Sequence, residues 1–317
     1  MIRLALALSL TLTACVAERL APGPGPTAPG FVDAGHWRAH DGFVLGMSVW
    51  PAENAHTAIV ALHGMNDYGQ FIEGAAKHWQ TKGVTTYAYD QRGFGRTEGN
   101  GRWPGHEVMA EDARTFLALV RARHPNAKLF LLGESMGGAV SILAATGRSE
   151  PVADGLILVS PALWGWSNLD VIKRSALWIM MQIAPGSRLT GRGLNIRPSD
   201  NENMLIALGR DPYVIKATRI DAIDGLVDLM EAAWQAVPAV ALPTMVVYAT
   251  EDEIVPSGPI ADAAAKMPGT ARVHCFKDGF HMLLRDLKAE RTWAAIEEFT
   301  KTETEKKPPP TECAPGG

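Results

Sequence analysis

Five residues constrain this chain more than any others: Gly133-Glu134-Ser135-Met136-Gly137, set between the apolar run KLFLL at 128–132 and the run GAVSILAATG at 138–147. A serine flanked in this way, where a strand pattern gives way to a helix pattern, marks a sharp strand–turn–helix junction. Gly133 and Gly137 carry no β-carbon, so strand and helix can close around a strained turn that pushes the Ser135 hydroxyl outward. A helix that starts at Met136 directs the positive end of its dipole towards that oxygen.

Such a turn needs a sheet to carry it. Short apolar runs without alternation occur at Ala58–Leu62, Val84–Tyr89, Lys128–Leu132, Leu156–Val159, Met245–Ala249 and Arg272–Phe276. Strands of this kind are covered on both faces. Helical patterns separate them, at Glu107–Arg123, Met136–Gly147, Pro259–Met267 and Asp286–Thr300. Strands alternating with helices predict an α/β fold with a mostly parallel central sheet flanked by helices. His36–Ala39 and Val44–Trp50, joined around Asp41-Gly42, predict an antiparallel edge hairpin. Between Pro161 and Pro238 the rhythm stops, and helical stretches fill the space at Leu169–Ile183, Asn201–Leu208, Asp211–Arg219 and Leu226–Ala236. Residues 161–238 are therefore expected to form a helical cap between sheet strands, over the carboxyl edge where open α/β sheets bind ligands. The core is expected at 31–160 and 239–301.

A serine hydroxyl needs a base. Of nine histidines, His281 follows the last strand pattern near the end of the core, whereas seven others lie in or beside helices, in the edge region or inside a strand, and His63 lies in the loop after the first parallel strand. Asp252 follows the strand TMVVYAT and precedes His281 by 29 residues, giving the chain order Ser, Asp, His. Its role would be to hold one imidazole tautomer and stabilise the imidazolium. Two backbone N–H groups must receive the oxyanion. Met136 supplies one, and Met65, in His63-Gly64-Met65-Asn66-Asp67 after the first parallel strand, is the candidate for the other. This chemistry requires no metal or organic cofactor, and no Cys/His spacing matches a zinc site.

Taken together, His63-Gly64-Met65, the segment DQRGFGRTEG at 90–99, the Ser135 turn, Asp252 and His281 resemble, in their order, monoacylglycerol lipases. They are similar too to the lysophospholipase-like members of the serine aminopeptidase S33 family, over about residues 35–300. The resemblance implies an α/β-hydrolase fold and hydrolysis through an acyl-serine. In the 90–99 segment Thr97 stands where the pattern has Ser, and the segment is expected to be structural.

Bulky apolar residues in the cap, at Leu163-Trp164-Gly165-Trp166 and ALWIMMQI (176–183), suit an acyl chain at the mouth of the site. Trp164, Trp166 and His63 are the candidate pocket residues, although His63 also fits a loop-bracing role. A net charge of −4 makes nucleic acid a poor ligand. At the amino terminus, Arg3, the apolar run Leu4–Leu12 and Leu12-Thr13-Ala14-Cys15 resemble a bacterial lipoprotein signal, with 1–14 removed and Cys15 acylated. The expected result is a periplasm-facing protein tethered to a membrane, with ordinary secretion as the alternative. Residues 15–30, rich in Pro and Gly, are expected to be a linker, and 302–317 a disordered tail. Cys275 and Cys313 are expected to be a buried free thiol and a tail thiol, with a disulfide between them as the alternative in an exported protein.

These readings converge on a serine esterase acting on small lipid-like esters such as monoacylglycerols or lysophospholipids. An aminopeptidase of proline-iminopeptidase type is the first alternative, with Glu231, Asp228 or Asp224 receiving the substrate amine. A non-catalytic lipid-binding lipoprotein is the second. The sequence sets no oligomeric state.

Overall fold

A computed structural model describes residues 17–147, 153–191, 193–268 and 271–302. Cys15, Cys313, the signal-like segment and nearly all of the expected tail lie outside the described residues.

The chain opens with β1 (Gly30–Phe31), β2 (His36–Arg38), β3 (Val44–Trp50) and β4 (Thr57–Leu62). Then come α1 (Glu73–Gln80), β5 (Val84–Tyr89), α2 (His106–Arg123), β6 (Lys128–Glu134), α3 (Met136–Ala145) and β7 (Gly155–Val159). The segment before the next sheet strand holds α4 (Val171–Ile183), β8 (Arg188–Leu189), α5 (Glu202–Arg210), β9 (Thr218–Arg219) and α6 (Ile220–Ala236). The chain then returns through β10 (Thr244–Ala249), α7 (Ser257–Lys266), β11 (Arg272–Phe276) and α8 (Ala289–Thr302).

Nine strands form one sheet in the order β1-β2-β3-β5-β4-β6-β7-β10-β11. The pairs from β5 to β11 are parallel, and β1–β3 add an antiparallel edge. Every residue of β4, β5, β7 and β10 is buried, which is why their sequences do not alternate. Two apolar layers cover the sheet, one built around Trp37, Phe116 and Leu131, the other around Trp79, Phe130 and Phe299. Because the central strands are parallel, the segments that follow β4, β6, β10 and β11 all emerge at one edge.

Several expectations are corrected. Residues 211–217 are not helical: the Ile215 amide bonds to Asn66 O, and the Lys216 ammonium takes the carbonyls of Asp211 and Val214, acceptors a helix would need. The cap is not purely helical, since β8 and β9 pair in it. The β2–β3 connection is wider than an Asp-Gly turn, with Gly42 at φ +84° and Ala39 N–H bonded to Phe43 O. Cys275 is disulfide-bonded rather than a free thiol.

The Pro/Gly-rich stretch is not a free linker over residues 17–30. Glu18 ion-pairs with Arg102 of the core and Arg219 beside α6, and its amide donates to Asp221. Leu20 N–H bonds to Trp103 O, while Gly23 N–H and Gly25 N–H reach the Asp41 carboxylate and carbonyl. This strap fastens cap to core.

Candidate active site

Ser135 sits between the last residue of β6 and the first of α3, at φ 54° and ψ −118°. Non-glycine residues avoid this region unless surrounding structure holds them there. The two glycines explain how the turn closes. A β-carbon on Gly133 would stand 2.2 Å from Gly137 O, and one on Gly137 would stand 2.1 Å from Leu62 O. Main-chain bonds fix the rest: Ser135 N–H to Val159 O at 3.0 Å, and Ala162 N–H to Ser135 O at 2.9 Å. The Met136 amide opens α3, where a helix offers it no internal partner. The Met136 side chain is fully buried.

Asp252 and His281 come from the loops after β10 and β11, and the structure joins them. The imidazole Nδ1 lies 2.7 Å from Asp252 Oδ2. Both residues are buried, at 9% and 5% exposure. With Nδ1 committed to the carboxylate, Nε2 is the nitrogen left to act as base.

The loop after β4 lies against Ser135. A β-carbon on Gly64 would be 3.2 Å from Ser135 Cβ and 3.8 Å from its Oγ. Space at Gly64 is therefore tight, while the left-handed turn falls to Asn66 at φ 68°. Met65 follows Gly64 in this loop, and its half-buried side chain packs on the core. His63 does not line a pocket, contrary to expectation. It is wholly buried, its Nδ1 pairs with Gly64 O at 2.8 Å, and its Nε2 accepts from Gln91 N–H at 2.9 Å. Burial pushes its pKa down, so it braces the loop as a neutral ring.

The cap residues divide. Trp166 donates from Nε1 to Asp228 at 2.6 Å, which ties it to α6. Trp164 is half-buried, with the Lys173 ammonium 5.5 Å from its ring centre. Glu231, an expected amine receptor, accepts from Ser167 N–H and Oγ–H. Asp224 and Asp228 line a cavity of about 300 Å³ with Glu18, Trp103 and Met181, and neither Ser135, Asp252 nor His281 borders it. Helix α4 has no buried residue, and Ile172, Trp178 and Ile183 are at least 63% exposed.

Sequence reasoning missed the residues that brace the histidine loop. Met282 N–H bonds to Pro198 O, and the Asp286 carboxylate accepts from Ser199 Oγ–H and Phe280 N–H. It also missed Arg285, whose guanidinium bridges Asp67 and Glu134. No local signal in the sequence pointed to it, since Glu134 lies 151 residues away.

Residues 53–288 match the family described as serine aminopeptidase, S33. The monoglyceride lipase of Rattus norvegicus is 25% identical over 283 residues, covering 85% of this chain and 90% of the relative. The monoacylglycerol lipase of Mycolicibacterium smegmatis is 24% identical over 221 residues, covering 66% and 75%. Among solved structures, a soluble variant of monoglyceride lipase from Saccharomyces cerevisiae, in complex with a substrate analog, superposes with a TM-score of 0.71. It is 17% identical, with 90% of this chain and 100% of that chain covered.

Proposed function

The chain belongs to the serine aminopeptidase S33 family and has its α/β-hydrolase fold, and on that premise we propose that it is a serine esterase cleaving monoacylglycerol-like or lysophospholipid-like lipids. The observation that carries the chemistry is the 2.7 Å pairing of His281 Nδ1 with Asp252, on the same sheet edge as a serine held at φ 54°. Ser135 Oγ attacks the ester carbonyl as His281 Nε2 takes its proton, and the amides of Met65 and Met136 receive the oxyanion. The imidazolium then protonates the leaving alcohol. A water, deprotonated by His281, then adds to the acyl-serine carbonyl, and the imidazolium returns that proton to Ser135 Oγ as the acyl–oxygen bond breaks and the acid leaves.

A lipid substrate is supported by the names of the relatives and by the apolar outer surface of α4. The peptidase alternative keeps the description of the family, but the acidic groups expected to receive its amine are engaged with Ser167 and Trp166 or border a cavity that Ser135 does not line. Export and tethering through Cys15 complete the proposal, and the disulfide at Cys275 supports export, since such bonds persist in oxidising compartments. The test is Ser135→Ala, which is expected to abolish both turnover of p-nitrophenyl esters and labelling by a fluorophosphonate probe. Labelling of that variant at the wild-type rate overturns the assignment.

A further inference from the structure

Arg285 lies four residues beyond His281, on the turn closed by Arg285 N–H to Met282 O. Its side chain is 12% exposed and reaches two buried carboxylates: Asp67 Oδ2 at 2.7 Å and Glu134 Oε1 at 2.9 Å. Each partner adjoins a different part of the site. Glu134 immediately precedes Ser135. Asp67 ends the turn that carries Met65, with its own amide bonded to Gly64 O. One guanidinium thus links the nucleophile turn, the oxyanion loop and the histidine loop.

We infer that Arg285, with Glu134 and Asp67, is a positioning cluster that sets the relative placement of Ser135, His281 and the Met65 amide. The inference rests on the serine-esterase reading of the same site. Stability alone accounts poorly for such a cluster. Buried ion networks add little net stability over apolar packing. This one also leaves Arg285 Nε and Glu134 Oε2 buried without partners among the described residues, which is itself costly. What the network supplies is geometry: a planar fork fixed to two carboxylates allows each loop little freedom. Rate is sensitive to that freedom, because a misplacement of about 1 Å at reacting groups can cost about 10²-fold.

The cluster is also electrically coupled to the base. Burial raises the Glu134 pKa, and the positive charges of Arg285 and of protonated His281 oppose that rise, while Asp67 adds to it. Burial likewise works against the Arg285 charge, but Asp67 and Glu134 outweigh it and hold its pKa above the usual value. The charges facing Glu134 are thus Arg285, His281 and Asp67, and Asp252 is the further carboxylate against His281. A Glu134 carboxylate attracts the imidazolium, so its removal must make protonation of the base harder.

The test measures kcat, KM and the pH profile on p-nitrophenyl butyrate for Glu134→Gln, Arg285→Lys and Arg285→Met, with thermal unfolding as a folding control. Arg285→Met is expected to lower kcat about 10–100-fold with KM little changed. Arg285→Lys, which keeps the charge and loses the fork, is expected to recover part of that loss. Glu134→Gln keeps the shape and an acceptor, so its expected signature is an acid limb of kcat/KM moved to lower pH. Should Arg285→Met fail to fold, Arg285→Lys and Glu134→Gln still decide. Wild-type kcat in Arg285→Lys together with an unmoved acid limb in Glu134→Gln overturns the positioning role. Ser135→Ala, run in parallel, separates the readings: if it is inactive while those two variants behave as wild type, the esterase assignment stands and this inference falls.

Discussion

Asp252 divides its two carboxylate oxygens between His281 and its own loop. Oδ2 lies 2.7 Å from His281 Nδ1, while Oδ1 accepts from the amides of Ile254 at 2.8 Å and Val255 at 2.9 Å. The carboxylate is therefore clamped before it meets the imidazole, and its orientation does not depend on the histidine. Replacing it by Asn would preserve shape and the Oδ1 bonds, but would set an amide N–H against Nδ1 and favour the wrong tautomer. Asp252→Asn is expected to lower kcat about 10³–10⁴-fold with an unchanged unfolding temperature. Steady-state kinetics paired with calorimetry checks this, and a loss below tenfold would show that another acid orients His281.

Gly64 offers a steric test of the oxyanion loop. The added methyl group of Gly64→Ala would meet Ser135 Cβ at 3.2 Å and Glu134 O at 3.7 Å. Either the loop or the serine must yield by a few tenths of an ångström, one residue before the proposed oxyanion donor Met65. The expected result is a kcat about 10–100-fold lower, with KM for short esters nearly constant. Unchanged kcat in this variant would move the second oxyanion donor away from Met65.

The 90–99 segment supports a prediction about stability and pH. Asp90 is fully buried and accepts from Gly69 N–H, from Arg96 N–H, and from the Arg96 guanidinium at 2.7 and 2.9 Å. Burial alone would raise its pKa, but the hydrogen bonds and charge of Arg96 win and lower it below the usual 3.8. A carboxyl with a depressed folded-state pKa contributes stability that is present above 3.8 and lost as pH falls through its folded value. Asp90→Asn is expected to cost about 3–5 kcal/mol near neutral pH, because it leaves Arg96 without its charge partner. Urea unfolding at several pH values should show the difference from wild type shrinking below about pH 3.8, where the unfolded-state carboxyl protonates.

Much of the core was legible because its physics is local. Runs such as TAIVAL and TMVVYA are apolar throughout, and the strands they form are buried on both faces. The Ser135 turn announced itself because two close approaches, Gly133 to Gly137 O and Gly137 to Leu62 O, tolerate only glycine. Helix α1 was missed for want of length, its eight residues giving little periodicity. The strap at 17–30 was misread for a different reason. Pro and Gly set its stiffness, but its course is decided by Asp41, Arg102 and Arg219, which the sequence scatters widely. Arg285 was illegible in the same way, since its partners lie 151 residues away at Glu134 and further still at Asp67.

The cysteines tie the proposed anchor to the fold in a way that one experiment can settle. The chain has three, at 15, 275 and 313, and Cys275 is in a disulfide. A Cys15 whose sulfur carries a thioether-linked lipid has no thiol left for that bond, so the anchor reading requires Cys275 to pair with Cys313. Peptide mapping of the mature protein under non-reducing conditions is expected to recover a peptide joining residues 275 and 313. Labelling of cells with an alkyne fatty acid is expected to mark the protein and to be lost in Cys15→Ala. A peptide joining 15 to 275 would exclude acylation and return the amino terminus to ordinary secretion, with the esterase chemistry unaffected. Because Glu18 already holds the strap to Arg102 and Arg219, only Val16 and Ala17 separate an acylated Cys15 from the docked body. At about 3.3–3.6 Å per extended residue, that allows roughly 10 Å between the anchor and the Glu18 clamp. Inserting a flexible Gly/Ser segment after Val16 is therefore expected to leave turnover of soluble p-nitrophenyl esters unchanged and to alter turnover of membrane-borne monoacylglycerol, a contrast that a freely swinging tether would not produce.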